Sequence, residues 1–180
     1  LESCPSSDGA CALVISNEKL AKGRKAAWIK GMAVRSAGTL SAGRDEVNPQ
    51  GGQDCASDIY KQAGILNPKD EIDCAEIYVP FSWYEPMWLE NVHCCDVGDG
   101  WKLTENGTTA LDGDLPINMS GGVLSSNPIG ASGMIRFGEA ALQVMHQANE
   151  YQVDGAKLAM GHAYGGASQF FAMWVVGNER

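Results

Sequence analysis

The amino-acid sequence predicts an α/β fold, a mixed sheet with helices on both of its faces. Three observations carry this. Apolar runs of strand length alternate with segments of helical spacing, the strongest helical period covers residues 132–148, and two apolar strands close the chain as a hairpin. Strands interleaved with helices bury the apolar side of each helix on the sheet, which gives a layered architecture.

The elements follow in chain order. Residues 10–16 (Ala-Cys-Ala-Leu-Val-Ile-Ser), after Asp8-Gly9, read as a buried strand. A second strand region is expected from Trp28 to Leu40, with Ile29, Met32, Val34 and Leu40 among small residues. Asp54–Gly64 suits a helix, with Ile59, Tyr60 and Ala63 on one side and Gly64 ending it. Glu76–Phe81 is strand-like and stops at Pro80, and Tyr84–Val92 returns to helical spacing through Met87, Trp88 and Val92. Residues 94–115 are polar and glycine-bearing, which predicts a surface excursion. In 132–148, Met134, Ile135, Ala141, Leu142, Met145 and Ala148 follow the 3.6-residue period. The closing strands are expected at 156–160 and 170–176, with His162-Ala163-Tyr164-Gly165-Gly166 as the turn between them.

A chain of 180 residues buries a real core and reads as one domain, 1–180. Apolar residues at 44% and charged residues at 19% suit a soluble globular protein. The net charge of −9 argues against nucleic acid or an anionic membrane as the main partner. Lys19, Lys22, Arg24, Lys25 and Lys30 form the densest basic patch, which reads either as solvated surface or as a local site for a polyanion. No run approaches the ~20 apolar residues needed to span a bilayer, and no signal peptide is visible, so a cytoplasmic protein is expected. The six cysteines show no Cys-x-x-Cys pair and no zinc-ligand spacing; reduced thiols and no metal site are expected. Without a secretion signal, Asn106-Gly-Thr108 and Asn118-Met-Ser120 are chance glycosylation matches.

The chemistry concentrates in residues 116–133, Pro-Ile-Asn-Met-Ser-Gly-Gly-Val-Leu-Ser-Ser-Asn-Pro-Ile-Gly-Ala-Ser-Gly, which open onto the strongest helix. Glycines let backbone approach a ligand closely, and a helix start offers unpaired N–H groups. This stretch resembles the C-terminal active-site loop of the thiolase superfamily, Asn-x-x-Gly-Gly followed by Gly-His-Pro-x-Gly-Ala-x-Gly. The opening Cys-Pro-Ser-Ser-Asp-Gly-Ala-Cys-Ala-Leu-Val is similar to the segment that introduces the C-terminal half of a thiolase. Ile77–Cys95 is similar to the Asn-Glu-Ala-Phe or His-Asp-Cys-Phe region. The lipid-transfer, or sterol-carrier-type, thiolase-like branch shows the nearest likeness. The resemblance implies half of a layered α/β thiolase fold, and the start at Leu1 in mid-motif implies a fragment or one piece of a split protein.

The departures from the family pattern shape the expected chemistry. Tyr78-Val-Pro-Phe81 stands at the Asn-Glu-Ala-Phe position, Asn127 replaces the loop histidine, and His162-Ala-Tyr164-Gly-Gly stands where many thiolases carry an acid/base cysteine. A thiolase nucleophile lies in the N-terminal half, so none of the six cysteines is assigned that role. An asparagine amide can donate to a developing oxyanion but cannot act as a base. Tyr78 reads as an oxyanion partner or general acid, or as a packed strand tyrosine. His162 and Tyr164 stand at the family's second acid/base position; His162 reads equally as a proton shuttle near its ordinary pKa of about 6.5 or as a turn residue. His93 and His146 read as structural or surface residues. The catalytic candidates are therefore Asn127, Tyr78, Tyr164 and His162. By resemblance, Gly121, Gly122, Ser125 and Gly130 are expected to contact coenzyme A.

Three functions compete. The first is a thiolase-type acyltransferase acting on an acyl-CoA, with coenzyme A as substrate or co-substrate and no covalently bound cofactor. The second is an acyl-CoA retro-aldolase (a lyase) that uses tyrosines as acid and base. The third is a non-catalytic acyl-CoA or lipid-binding partner. The resemblance also implies an N-terminal thiolase half that carries any nucleophile, a homodimer or larger assembly, and a zinc-ribbon/OB-fold subunit.

Overall fold

The computed structural model describes residues 2–38 and 42–180. In chain order the elements are α1 (Glu18–Ala21), β1 (Trp28–Ser36), α2 (Gln50–Ala63), α3 (Pro68–Glu71), β2 (Cys74–Glu76), α4 (Tyr84–Asn91), α5 (Gly100–Glu105), α6 (Gly122–Ser125), α7 (Ile129–Val144), β3 (Leu158–Gly165) and β4 (Phe170–Gly177), with a 3₁₀ turn at Asn149–Tyr151 before β3. The four strands form one mixed sheet in the order β1-β4-β3-β2. β4 is antiparallel to both its neighbours, while β2 runs parallel to β3.

Period-2 alternation along β4 sends its side chains to two separate cores. On one face Phe171, Met173 and Val175 pack with Cys55, Ala56 and Ile59 of α2. On the other, Trp174 and Val176 pack with Ala140 and Val144 of α7. Helices therefore cover both faces of a mixed sheet, as the sequence predicts. α2 starts four residues before the expected Asp54 and ends as expected, where Gly64 takes a left-handed conformation (φ 75°) and its N–H bonds the Tyr60 carbonyl. α7 likewise starts three residues early and terminates at His146, whose φ of 54° supplies the left-handed stop.

Four expectations are corrected. Residues 10–16 form no strand; Val14 is 98% exposed and Ile15 77%, because among the described residues no strand lies alongside to complete a ladder. Leu40, the expected end of the second strand, lies outside the described residues, and β1 stops at Ser36. The strand expected at Glu76–Phe81 is instead Cys74–Glu76. Beyond Glu76 the Ile77 N–H goes to Asn118 Oδ1 (2.8 Å) and the Tyr78 N–H to His162 Nδ1 (3.3 Å), so side chains take over from the ladder. The 94–115 excursion also contributes to the core, since it contains α5 and buries Cys94, Leu103 and Leu115.

The hairpin is longer than expected. β3 runs through Gly165, so His162 and Tyr164 are strand residues paired with Met173 and Phe171, and the reversal falls at 166–169. Strand alternation then points both rings to one face, toward Trp88 of α4.

Candidate active site

Asn127 is 4% exposed and lies on the loop between α6 and α7, where three chain segments converge on its amide. Tyr78 Oη donates to Asn127 Oδ1 (2.9 Å), and Ser132 Oγ donates to the same oxygen (2.7 Å). With both lone-pair directions of that oxygen taken, the amide is oriented, and Asn127 Nδ2 donates to Cys4 Sγ at 3.1 Å. The Asn127 N–H donates to Ser7 Oγ (3.3 Å), which fastens the loop to the opening segment. The Tyr164 ring meets Tyr78 edge-on, 5.5 Å between centroids.

Tyr78 and Tyr164 both face a cleft of about 480 Å³ whose walls include Phe81, Ile129, Gly130 and Gly133. A Cβ at Gly133 would stand 3.0 Å from that of Ala163, so glycine here lets α7 lie close against β3. A second hollow, about 490 Å³, adjoins it across Gly130 and is lined by Ser7, Asp8, Gly9 and Cys11.

Burial is the main electrostatic influence. It pushes the Tyr78 hydroxyl above its ordinary pKa, against the hydrogen bond to Asn127, which acts to lower it. It pushes Tyr164 up further, reinforced by a hydrogen bond with Tyr84. Both phenols therefore keep their protons at neutral pH and meet a substrate first as donors. Burial also drives the thiols of Cys55 and Cys95 to about 11 and that of Cys94 to about 12, which keeps them inert.

His162 departs from the proton-shuttle expectation. It is fully buried against Trp88 and Phe171, accepts the Tyr78 N–H at Nδ1, and leaves Nε2 without a partner. Burial pulls its pKa down to about 3, so the imidazole stays neutral and serves to hold the backbone of Tyr78. Its pKa being lower folded than unfolded, the unfolded chain binds a proton that the native state refuses between about pH 6.5 and 3. Stability is present above that window and is lost as pH falls through it, by about 1.4 kcal/mol per unit from this group. His162→Gln is expected to flatten the stability-against-pH curve between pH 6.5 and 5, measured by urea unfolding; an unchanged slope would refute this.

Among the glycine-loop candidates, only Gly130 lines the cleft. Gly121 and Gly122 have φ of 89° and 58°, and a Cβ on Gly121 would meet Ser125 Oγ at 2.4 Å, so backbone conformation and that packing account for the glycines and for Ser125. His93 and His146 are exposed and lie outside the cleft lining. Sequence reasoning missed Cys4 and Ser132. Ser132 occupies the variable position of Gly-Ala-x-Gly, five residues from Asn127; Cys4 is 123 residues away, and nothing in the local pattern signals the contact.

Behind the cleft a buried ion pair joins β2 to α7. Arg136 Nη1 lies 2.5 Å from Glu76 Oε2, and Glu76 accepts both the N–H (3.0 Å) and the hydroxyl (2.9 Å) of Ser120. The pair thus pins the Asn118–Gly122 turn to Glu76, which lies two residues before Tyr78. Among the described residues no group of His, Cys, Asp and Glu could hold a metal ion, and no helix is long and apolar enough to cross a membrane.

The chain is 32% identical over 171 residues to an acetyl-CoA acetyltransferase of Methanothermobacter thermautotrophicus, covering 92% of this chain and 44% of that protein. It is 31% identical to human sterol carrier protein 2, covering 92% of this chain and 31% of that protein. The solved Ltp2-ChsH2(DUF35) aldolase superposes with a TM-score of 0.72 at 25% identity, over 84% of this chain and 39% of that one. The chain thus spans less than half the length of each of these relatives. The family model described as thiolase C-terminal domain-like matches residues 31–178, nearly the whole of the sheet and both helical layers, and the chain belongs to that family.

Proposed function

We propose that the chain forms part of an acyl-CoA retro-aldolase, cleaving the carbon–carbon bond beside the thioester of a β-hydroxyacyl-CoA. The observation that carries this is the pair of protonated phenols, Tyr78 and Tyr164, facing one cleft next to Asn127 where no histidine or carboxylate lines the wall. Claisen chemistry needs a base strong enough to remove an α-proton, and His162, its pKa drawn down to about 3 by burial and its ring absent from the cleft wall, is too weak. Retro-aldol cleavage asks for less. The β-hydroxyl gives up its proton, the Cα–Cβ electrons pass to the thioester as an enolate, an aldehyde or ketone departs, and a proton returns to Cα. One phenol donates to the oxygen on which enolate charge grows; the other serves as base once it has lost its own proton to solvent, taking the β-hydroxyl proton as a phenolate and returning it to Cα. Tyr164, which burial raises further, is proposed as the donor, and Tyr78, whose hydrogen bond to Asn127 acts against the rise, as the phenol that ionises.

Acyl transfer is the second reading, favoured by the 32% identity to an acetyltransferase and by the Cys4 thiol beside the Asn127 amide. In either case the relatives' additional length is proposed to supply the rest of the site, so residues 1–180 alone should turn over no acyl-CoA. Coenzyme A is proposed as the carrier of the substrate acyl group, with Gly130 the loop glycine placed to border it. A partner subunit is proposed on the name of the Ltp2-ChsH2(DUF35) aldolase, which joins two components; a homodimer and a zinc-ribbon/OB-fold partner are proposed from the family resemblance alone.

The deciding experiment incubates the intact protein with a β-hydroxyacyl-CoA in the absence of free coenzyme A. Release of an aldehyde or ketone, no acyl-cysteine by mass spectrometry during turnover, and retained activity in Cys4→Ala are expected. Strict dependence on free coenzyme A together with a trapped acyl-cysteine would replace the lyase by the acyltransferase.

A further inference from the structure

A third hollow, about 460 Å³, has no part in the chemistry above. It opens beside α4 and α5 and is walled by Trp83, Trp101, Glu85, Glu105, Pro86 and Leu124. Both indoles are about half exposed, Trp83 at 56% and Trp101 at 52%. No lining residue is basic, and among the described residues neither glutamate takes part in an ion pair. Glu85 accepts a hydrogen bond from the Thr104 hydroxyl (3.1 Å), a neutral donor. Desolvation raises its carboxyl pKa, the mark of a carboxylate drawn out of water without a counter-charge. Lys102, the neighbouring cation, is held by Asp99 at 2.7 Å, yet its ammonium lies 5.9 Å from the Trp101 ring centre, so this indole face already attracts positive charge.

We propose that this hollow receives an arginine or lysine side chain presented by a protein partner. The two indoles and the apolar floor of Pro86 and Leu124 suit the aliphatic stem, and Glu85 and Glu105 suit the charged head. A cation seated there offsets the desolvation of Glu85, a gain that a neutral or anionic group lacks. Half-exposed tryptophans around a charge-complementary pocket match the composition of interface hot spots, which favours a protein-borne side chain over a free ion.

The test uses the intact protein and two acetylated, amidated peptides, Leu-Arg-Leu and Leu-citrulline-Leu, which differ only in charge at nearly constant shape. Binding is followed by the indole N–H NMR signals of Trp83 and Trp101, assigned with Trp→Phe variants. The arginine peptide is expected to move both signals, and the citrulline peptide to bind roughly five- to tenfold more weakly. Glu85→Gln retains an acceptor for Thr104 and should erase that difference, and exposed Glu105→Gln should reduce it without affecting the fold. Equal binding of the two peptides would overturn the proposal. So would indole signals that neither peptide moves in the intact protein. The tyrosine cleft shares no lining residue with this hollow, so the outcome is independent of the lyase reading.

Discussion

Tyr164→Phe and Tyr78→Phe are each expected to lower turnover of the intact protein by about 10²-fold or more, the usual contribution of a positioned acid or base. The substitution keeps the ring. For Tyr164 it preserves the tilted ring contact with Trp88 and the edge contact with Tyr78, and removes only the oxygen that carries the proton. For Tyr78 it also removes one of the two donors that hold the Asn127 amide, so its effect should extend to the oxyanion side of the reaction. Asn127→Ala should cost about 10²-fold in kcat by loss of one oxyanion donor. Circular dichroism and thermal midpoints verify folding, and single-turnover rates isolate the chemical step. If both phenylalanine variants retain full activity, the cleft between β3 and α7 is not where the chemistry occurs.

The second large effect is on stability. Glu76→Ala leaves the Arg136 guanidinium, 3% exposed, without its counter-charge and releases both bonds to Ser120. Breaking one side of a buried pair costs about 3–5 kcal/mol. Because Arg136 already has an unpartnered Nε, no spare acceptor stands ready to compensate. Denaturant unfolding of Glu76→Ala should show this loss, and Glu76→Leu/Arg136→Met, which removes both charges, should recover most of it. A loss below about 1 kcal/mol in the single variant would mean that the pair is well hydrated in solution. Burial raises the Glu76 carboxyl pKa above its ordinary value, and the Arg136 guanidinium acts against that rise.

Much of the framework follows from local pattern. α2 and α7 obey the helical period, and Gly64 and His146 stop them where a left-handed residue is needed. Two apolar runs near the C-terminus pair as β3 and β4 because they are adjacent in sequence and need no distant partner. The strand expected at residues 10–16 fails for the opposite reason. An apolar run becomes a strand only when another strand lies beside it, and its own sequence cannot supply one.

The candidate site divides the same way. By resemblance, sequence alone offered Tyr78, Asn127, Tyr164 and His162 as candidates at the family's reactive positions, since that resemblance resides in short motifs, and the same motifs indicated the thiolase family. Only the tertiary structure decided what each side chain can do. It set His162 deep in the core, where desolvation removes its proton chemistry, and moved it from turn to strand. It brought Cys4 and Ser132 to the Asn127 amide and joined Glu76 to Arg136 across 60 residues. Burial and long-range hydrogen bonds depend on how layers stack, whereas motifs and periods depend only on neighbours in the chain.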